Sequence, residues 1–227
     1  MSILSVNIKL HKQQLREEKI LKDKTIAVLS YLFFHSTCEH KVYTNINTLC
    51  LEINLPTASH NIKNNQSAIK EVLQNLIYDN TIQLLNSKNI TEVDNRELLV
   101  FQFVNYEQYV NPNYHYVSLS LKEYNQLLKC NEKFHKALNL YCNIKSYICM
   151  DDNCLHTCYP SVQTICKNLN CSKKTLMNLL KLLCEQKLLY IYHFSENDVI
   201  KTNYGNIQLV FSLEKYSKEQ IVHQFIA

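Results

Sequence analysis

The sequence is nearly devoid of glycine and poor in proline. One Gly and three Pro occur among its 227 residues. A phosphate-binding loop of the nucleotide-binding kind needs several glycines, so Gly205 alone cannot build one. No motif centred on a nucleophilic serine stands out either. We therefore expect a protein that is not an enzyme and uses no cofactor, and whose turns are formed mainly by Asn, Asp and Ser.

Long apolar segments are lacking as well. No stretch approaches the roughly 18 uninterrupted apolar residues typical of a membrane-spanning helix. The start, Met1–Lys9, has no basic region followed by an apolar core, so a signal peptide is not expected. Hydrophobic residues at 46% and charged residues at 19% are typical of a globular chain. We expect a cytoplasmic protein with no membrane partner.

Cysteine, by contrast, is abundant, with ten in the chain. Cytosolic thiols stay reduced and often pack as small hydrophobic side chains, which is the role predicted for Cys50 and Cys166. One cluster contains the ligand types that zinc prefers in a tetrahedral site, namely Cys149, Cys154, His156 and Cys158. Its spacing is not that of a standard zinc finger. We favour scattered loop cysteines and keep zinc as the alternative.

One sequence pattern occurs twice. Tyr43–Cys50 and Tyr159–Cys166 both fit Tyr-x-x-[Ile/Val]-x-Thr-[Leu/Ile]-Cys, and Leu99–Phe101 recurs 110 positions later as Leu209–Phe211. A third match, at an offset of 107, relates Ile69, Val72, Leu73 and Leu76 to Leu176, Leu179, Leu180 and Leu183. Constant order with varying offsets predicts a duplicated fold whose loops differ in length. We name residues 1–108 the first unit and residues 109–227 the second unit.

Each unit is predicted to contain a strand, three helices and two strands. In the first unit the strands and helices are expected at 6–10, 24–35, from Asn45, from near Asn65, 81–85 and 97–104. In the second unit they are expected at 116–120, 133–150, from Ser161, from Ser172, 189–194 and 206–213, with a further C-terminal helix after 214. The four named residues are expected helix N-caps, because their short side chains accept hydrogen bonds from first-turn amides.

The second unit resembles a known family in its motifs. The matched features are the helix start Pro160-Ser161, the pair Thr164-Ile165, the turn Leu169–Ser172, the residue Thr175 and the pair Leu188-Leu189. They resemble the winged helix-turn-helix of bacterial plasmid and phage replication initiators and of the N-terminal domain of DnaD-type primosome proteins. The resemblance covers nearly all of 115–213 and, more weakly, 5–104.

The resemblance implies an α+β, mainly helical fold with two tandem winged helix-turn-helix domains, and double-stranded DNA as the partner. It implies sequence-specific binding at a replication origin, with homodimers or replisome and segregation proteins as further partners. Many transcription factors share the helix pair, so a regulator that binds an operator stays open. Winged helices also dock proteins, so an adaptor that does not bind DNA stays open too.

The third helix of each unit carries most of the predicted DNA-binding residues. Such a helix fits the major groove, where its first residues meet base edges and lysines hold phosphates. The second-unit candidates are Ser161, Ser172, Lys173, Lys174, Thr175, Asn178 and Lys181, with Lys201 on the wing. The first-unit candidates are Asn65, Gln66, Ser67, Lys70 and Gln74, with Arg96 on the wing. The alternative interpretation of these residues is an ordinary solvated helix face.

Overall fold

The chain is described as a computed structural model that covers residues 7–12, 15, 24–56, 59–86, 89–113, 115–148, 155–194, 200–202 and 205–226. Helix accounts for about 51% of the structure and strand for about 17%, so the fold is α+β and mainly helical, as predicted. None of the described residues lies in a helix long and apolar enough to cross a bilayer.

The strands and helices follow one another in a similar order in the two units. The first unit contains β1 (Ile8–His11), α1 (Thr25–Phe34), β2 (Lys41–Thr44), α2 (Ile46–Glu52), α3 (Ser59–Tyr78), β3 (Ile82–Leu84), β4 (Leu99–Phe103) and the start of α4 (Glu107–Val110). The second unit contains β5 (Tyr116–Leu119), α5 (Leu121–Leu128), α6 (Phe134–Tyr147), β6 (Thr157–Cys158), α7 (Val162–Leu169), α8 (Lys173–Glu185), β7 (Tyr190–His193), β8 (Ile200–Thr202), β9 (Gly205–Ile207), β10 (Leu209–Ser212) and α9 (Lys218–Ile226).

Each unit contains a three-stranded antiparallel sheet, with order β2-β4-β3 in the first and β6-β10-β7 in the second. The registers also agree. Phe101 of the central strand lies opposite Val42, and Phe211 lies opposite Cys158. In both sheets the outer-strand residue is followed directly by the tyrosine that opens the shared sequence pattern. The two tyrosines therefore occupy the same position relative to their sheets.

Asparagine and lysine take the left-handed backbone positions that glycine fills in most proteins. Asn54 and Asn170 have φ of 53° and 44° after α2 and α7. Asn80 and Lys187 both have φ of 55° after α3 and α8. Asn tolerates this region better than other residues that carry a Cβ atom. The chain thus ends equivalent helices with equivalent turns although it has almost no glycine.

The two units are joined by a shared strand pair and a shared core. β1 and β5 are antiparallel, from Ile8 opposite Leu119 to His11 opposite Tyr116. Ile8 and Leu10 of β1 and Val117 and Leu119 of β5 are buried in one hydrophobic cluster that includes residues of α1, α3, α6 and α8. Across the same junction the Asn54 side-chain amide donates to the Leu128 carbonyl oxygen at 2.8 Å. The large core is therefore common to both units.

Several boundaries differ from the predicted ones. α3 begins at Ser59, six residues before Asn65, so the prediction that Asn65 caps this helix is wrong. The connection expected between 195 and 205 contributes to an additional hairpin, β8–β9. α5 was not predicted. Its N-cap forms a capping box in which Ser120 and Glu123 each bond the other's backbone N–H.

A buried ion pair fastens α5 to α6. Lys145 Nζ lies 2.6 Å from Glu123 Oε1, and both side chains are largely shielded from water. Tyr141 donates its hydroxyl to the same oxygen. Burial alone would raise the pKa of Glu123. The charge of Lys145 and the hydrogen bonds from Lys145, Ser120 and Tyr141 outweigh it, and the pKa lies below its ordinary value.

Glu123→Gln should destabilise the fold because it leaves Lys145 buried without a counter-charge. We expect the free energy of unfolding at pH 7 to fall by about 3 kcal/mol. Folding lowers the pKa of Glu123. The contribution of the ion pair to stability is therefore fully present above pH 4.5 and is lost as the pH falls through the pKa of the folded state. Urea denaturation should show that the free energies of unfolding of the original protein and of Glu123→Gln become more similar as the pH is lowered below 4.5. Glu39→Gln, at a surface pair, is the control, and a difference independent of pH would contradict the electrostatic cause.

Candidate nucleic-acid interface

The helix pair α7–α8 is built on two serine N-caps. Ser161 Oγ accepts from the Thr164 amide at 3.0 Å, and Ser172 Oγ accepts from the Thr175 amide at 3.2 Å. Both caps were predicted from the sequence and are confirmed. These hydroxyl groups fix where α7 and α8 begin, so their first role is local structure.

A tight turn joins the two helices. Asn170 ends α7 in the left-handed conformation, and the Cys171 amide donates to the Cys166 carbonyl oxygen at 3.0 Å. In the equivalent turn of the first unit, the Leu55 amide donates to the Cys50 carbonyl oxygen at 2.9 Å. Burial raises the pKa of the Cys50 thiol to about 11, so it stays neutral. Cys50 is buried and Cys166 is half-buried against the core.

The inner face of α8 is a buried leucine stripe. It consists of the predicted set Leu176, Leu179, Leu180 and Leu183, each at most 4% exposed. The stripe packs on α6 and on the core. This burial fixes the rotation of α8 about its own axis and determines which side chains point outward.

The outer face of α8 is basic. Lys173, Lys174, Asn178 and Lys181 are exposed, and Thr175 is half-buried beside its cap. No acidic residue occurs in α8 before Glu185, which lies 3.9 Å from Lys181 in an exposed pair. Among the described residues, Lys173, Lys174 and Asn178 have no side-chain partner. These groups are available to an external ligand.

A cleft of about 390 Å³ adjoins the start of this basic face. It brings together His135 and Lys136 of α6 with Ser172 and Thr175. Lys136 is exposed and extends the basic face of α8, although no sequence pattern indicated it. Only the packing of α6 beside the α7–α8 turn reveals it. Burial, with the charges of Lys24 and Lys136, lowers the pKa of His135 to about 4, so His135 is neutral at pH 7.

The corresponding face of α3 is partly closed by the chain itself. The Lys70 Nζ donates to the Val93 carbonyl oxygen at 2.6 Å, and Ile90 and Val93 are buried in the core. The Gln66 amide donates to Asn47 Oδ1 at 2.7 Å. The loop 89–97 is thus held across α3, a contact that sequence periodicity did not indicate.

Of the remaining first-unit candidates, one side chain is hydrogen-bonded within the protein and three are exposed. The Asn65 side-chain amide donates to the Pro56 carbonyl oxygen at 2.9 Å. Ser67, Gln74 and Arg96 are exposed. Three of the five predicted α3 residues therefore make intramolecular bonds.

The second-unit wing and the cysteine cluster are only partly described. Lys201 lies in β8, and its side chain is outside the described atoms. Cys149 and Cys154 also lie outside the described residues. His156 Nδ1 is 3.1 Å from Glu214 Oε1, and Cys158 is buried. Within the described ranges no group of three or more potential ligands could hold a metal ion.

One part of the chain matches a known domain family. Residues 134–189 are similar to a family of helix-turn-helix domains. This range runs from the start of α6 through α8 to the residue before β7. A helix-turn-helix is a DNA-binding element, so the match supports binding of double-stranded DNA. No curated protein matches the chain.

Lys70→Ala should release the loop 89–97 from α3. We expect the free energy of unfolding to fall by about 1.5 kcal/mol, because a charged donor to a partly buried carbonyl is lost. Chemical denaturation measures the change. Lys63→Ala, at an exposed position of the same helix, is the matched control and should change little. Equal effects of the two substitutions would argue against a formed Lys70 contact in solution.

Proposed function

We propose that the protein binds double-stranded DNA sequence-specifically and inserts α8 into the major groove. The observation that carries this proposal is the exposed face of α8, which is basic and has no acidic residue before Glu185, on the opposite side from a buried leucine stripe. The face lies within the range that is similar to a helix-turn-helix domain. A helix of this width fits the major groove, and its first residues then lie nearest the base edges.

Two kinds of contact follow from the side chains on this face. Lys173, Lys174 and Lys181 are exposed cations that can hold phosphates on either side of the groove. Lys136 adds a fourth cation at the cleft beside the helix start. Asn178 lies one turn after Lys174 and can pair with the N6 and N7 atoms of adenine. In this proposal the lysines supply affinity for any sequence and Asn178 supplies preference.

The proposed architecture is two tandem winged helix-turn-helix domains. The identical strand orders, the matching registers and the equivalent turns at Asn54 and Asn170 support it. We assign base reading to the second unit, because the loop 89–97 lies across α3 in the first. The first unit then contributes at most through its exposed Ser67, Gln74 and Arg96.

The biological role that we propose is replication initiation at the origin of a plasmid or phage, without enzymatic activity. It rests on the resemblance of residues 115–213 to initiator domains. A transcriptional regulator would use the same helix and differ only in the DNA that it binds. Capture of genomic fragments by the purified chain separates the two: fragments from an origin support initiation, and fragments from promoters support regulation.

Replacing Lys173, Lys174 and Lys181 by Ala should weaken binding to any duplex. If each neutralises one phosphate, the slope of log affinity against log salt concentration should become shallower by about three units. Titrations of duplex DNA at several salt concentrations measure this slope. The matched control replaces Lys122, Lys129 and Lys215, which are also exposed, and should leave the slope nearly unchanged. An unchanged slope in the first variant would favour a protein-docking adaptor.

Asn178→Ala should reduce the preference for a selected DNA site more than it reduces the affinity for duplex DNA of any sequence. An adenine-reading amide contributes roughly 1 to 3 kcal/mol of preference. The measurement compares binding to a site selected from random duplexes with binding to a scrambled duplex. Asn125→Ala, at an exposed position of α5, is the control. Equal losses on both duplexes, or no loss, would show that Asn178 does not read bases.

A further inference from the structure

The outer face of the second-unit sheet is covered by the C-terminal helix. Val210 of β10 and Ile221 of α9 are both fully buried, in a small core that also contains Phe194, Ile200 and Ile207. This core is separate from the large one that the inner face of the sheet helps to form. The helix α9, together with the hairpin β8–β9, therefore covers the outer face of β6-β10-β7.

The edge of α9 rests on the strand β6 and the residue after it. The ring of Phe225 lies 5.2 Å from the ring of Tyr159 in an edge-to-face arrangement. The Thr157 hydroxyl donates to Gln224 Oε1 at 3.0 Å. An apolar residue, Ile221, thus helps to cover the centre of the sheet, while Phe225, one turn later, contacts Tyr159 at its edge, where Tyr159 stays 49% exposed.

The first unit presents the same sheet face without such a cover. Tyr43 lies opposite Val100, and the Leu85 amide donates to the Val100 carbonyl oxygen at 2.8 Å. Tyr43 and Leu98 are each 56% exposed, and Leu85 is 45% exposed. We name Tyr43, Leu85, Leu98 and Val100 the open sheet face. Exposed apolar side chains that cluster in this way mark interaction surfaces.

The chain takes a different route after the central strand of the first unit. Instead of returning over the outer face, it enters α4, whose N-cap residue Tyr106 stacks on Phe33 and meets Phe103 edge-on. Phe33 and Phe103 belong to the large core, so α4 packs on the inner side of the sheet. Of the described elements, none shields the open sheet face as α9 shields its counterpart.

We propose that the open sheet face binds an amphipathic helix of a partner protein, seated as α9 is seated on the second-unit sheet. The counterpart specifies its chemistry: two apolar side chains four residues apart, with an amide beside the second. The rim of the face contains both amides and an ion pair, since the Gln83 amide donates to Gln102 Oε1 at 3.0 Å and Lys41, opposite Gln102, lies 2.6 Å from Glu39. The apolar centre of the face therefore matches an apolar helix stripe, and its polar rim matches polar residues on either side of that stripe.

A second copy of the chain is not the expected occupant. Its α9 is already engaged, because Ile221 is fully buried in its own unit. The proposal is independent of DNA binding, since the open sheet face belongs to the first unit and α8 to the second. A test can therefore separate the two by measuring both.

The probe is a fluorescent peptide of residues 214–227, the chain's own α9 sequence, titrated against the full-length protein. We expect saturable binding that weakens at least about tenfold when Tyr43 and Leu98 are both replaced by Ser. Leu85→Ser should act in the same direction by itself. Tyr78→Ser and Leu121→Ser, at other exposed apolar positions, are controls that should bind as the original protein does. All variants should retain the original DNA affinity.

Three results would overturn the proposal. The first is absence of peptide binding to a folded protein. The second is binding that Tyr159→Ser weakens and the Tyr43 and Leu98 substitutions do not, since the peptide would then replace the resident α9. The third is a dimer in sedimentation experiments that the Tyr43 and Leu98 substitutions dissociate, which would make a second copy the occupant.

Discussion

The burial of α6 is the constraint on which the rest of the structure depends. Every residue from Ala137 to Ser146 is buried, and the helix packs against α1, α5, α7, α8 and β5. A helix enclosed on all sides must satisfy any charge that it carries, and the single buried lysine does so through Glu123. Because α8 packs directly on α6, the direction of its basic face follows from this arrangement.

Regular patterns in the sequence were sufficient for the parts of the fold that local physics determines. The spacing of the leucines correctly predicted the inner face of α8. The capping preferences of Asn and Ser correctly predicted that α2, α7 and α8 begin after Asn45, Ser161 and Ser172. The start of α3 was misplaced because the polar residues between Pro56 and Asn65 carry no apolar period. The place of Lys136 beside α8 and the contact of the loop 89–97 with α3 could not be predicted, since both arise from contacts distant in sequence.

The two units have equivalent sheets, but different surfaces of each unit are covered by the rest of the chain. In the first, the segment before the central strand folds inward, buries Ile90 and Val93 and bonds to α3, while the outer sheet face stays open. In the second, the basic face of α8 stays exposed, while the hairpin β8–β9 and α9 cover the outer sheet face. Each unit thus covers the surface that the other exposes. A protein built in this way can present a basic helix and an apolar sheet face without either interfering with the other.

The pairing of β1 with β5 also affects how the chain folds during synthesis. Ile8 lies opposite Leu119, so 111 positions separate the partners. At a synthesis rate of about 5 to 20 residues per second, β1 would wait roughly 5 to 20 seconds for its partner strand. Its apolar residues Ile8 and Leu10 stay uncovered by β5 for that time. Contacts of this range also slow folding of the completed chain, because the intervening loop must close before the pairing stabilises it.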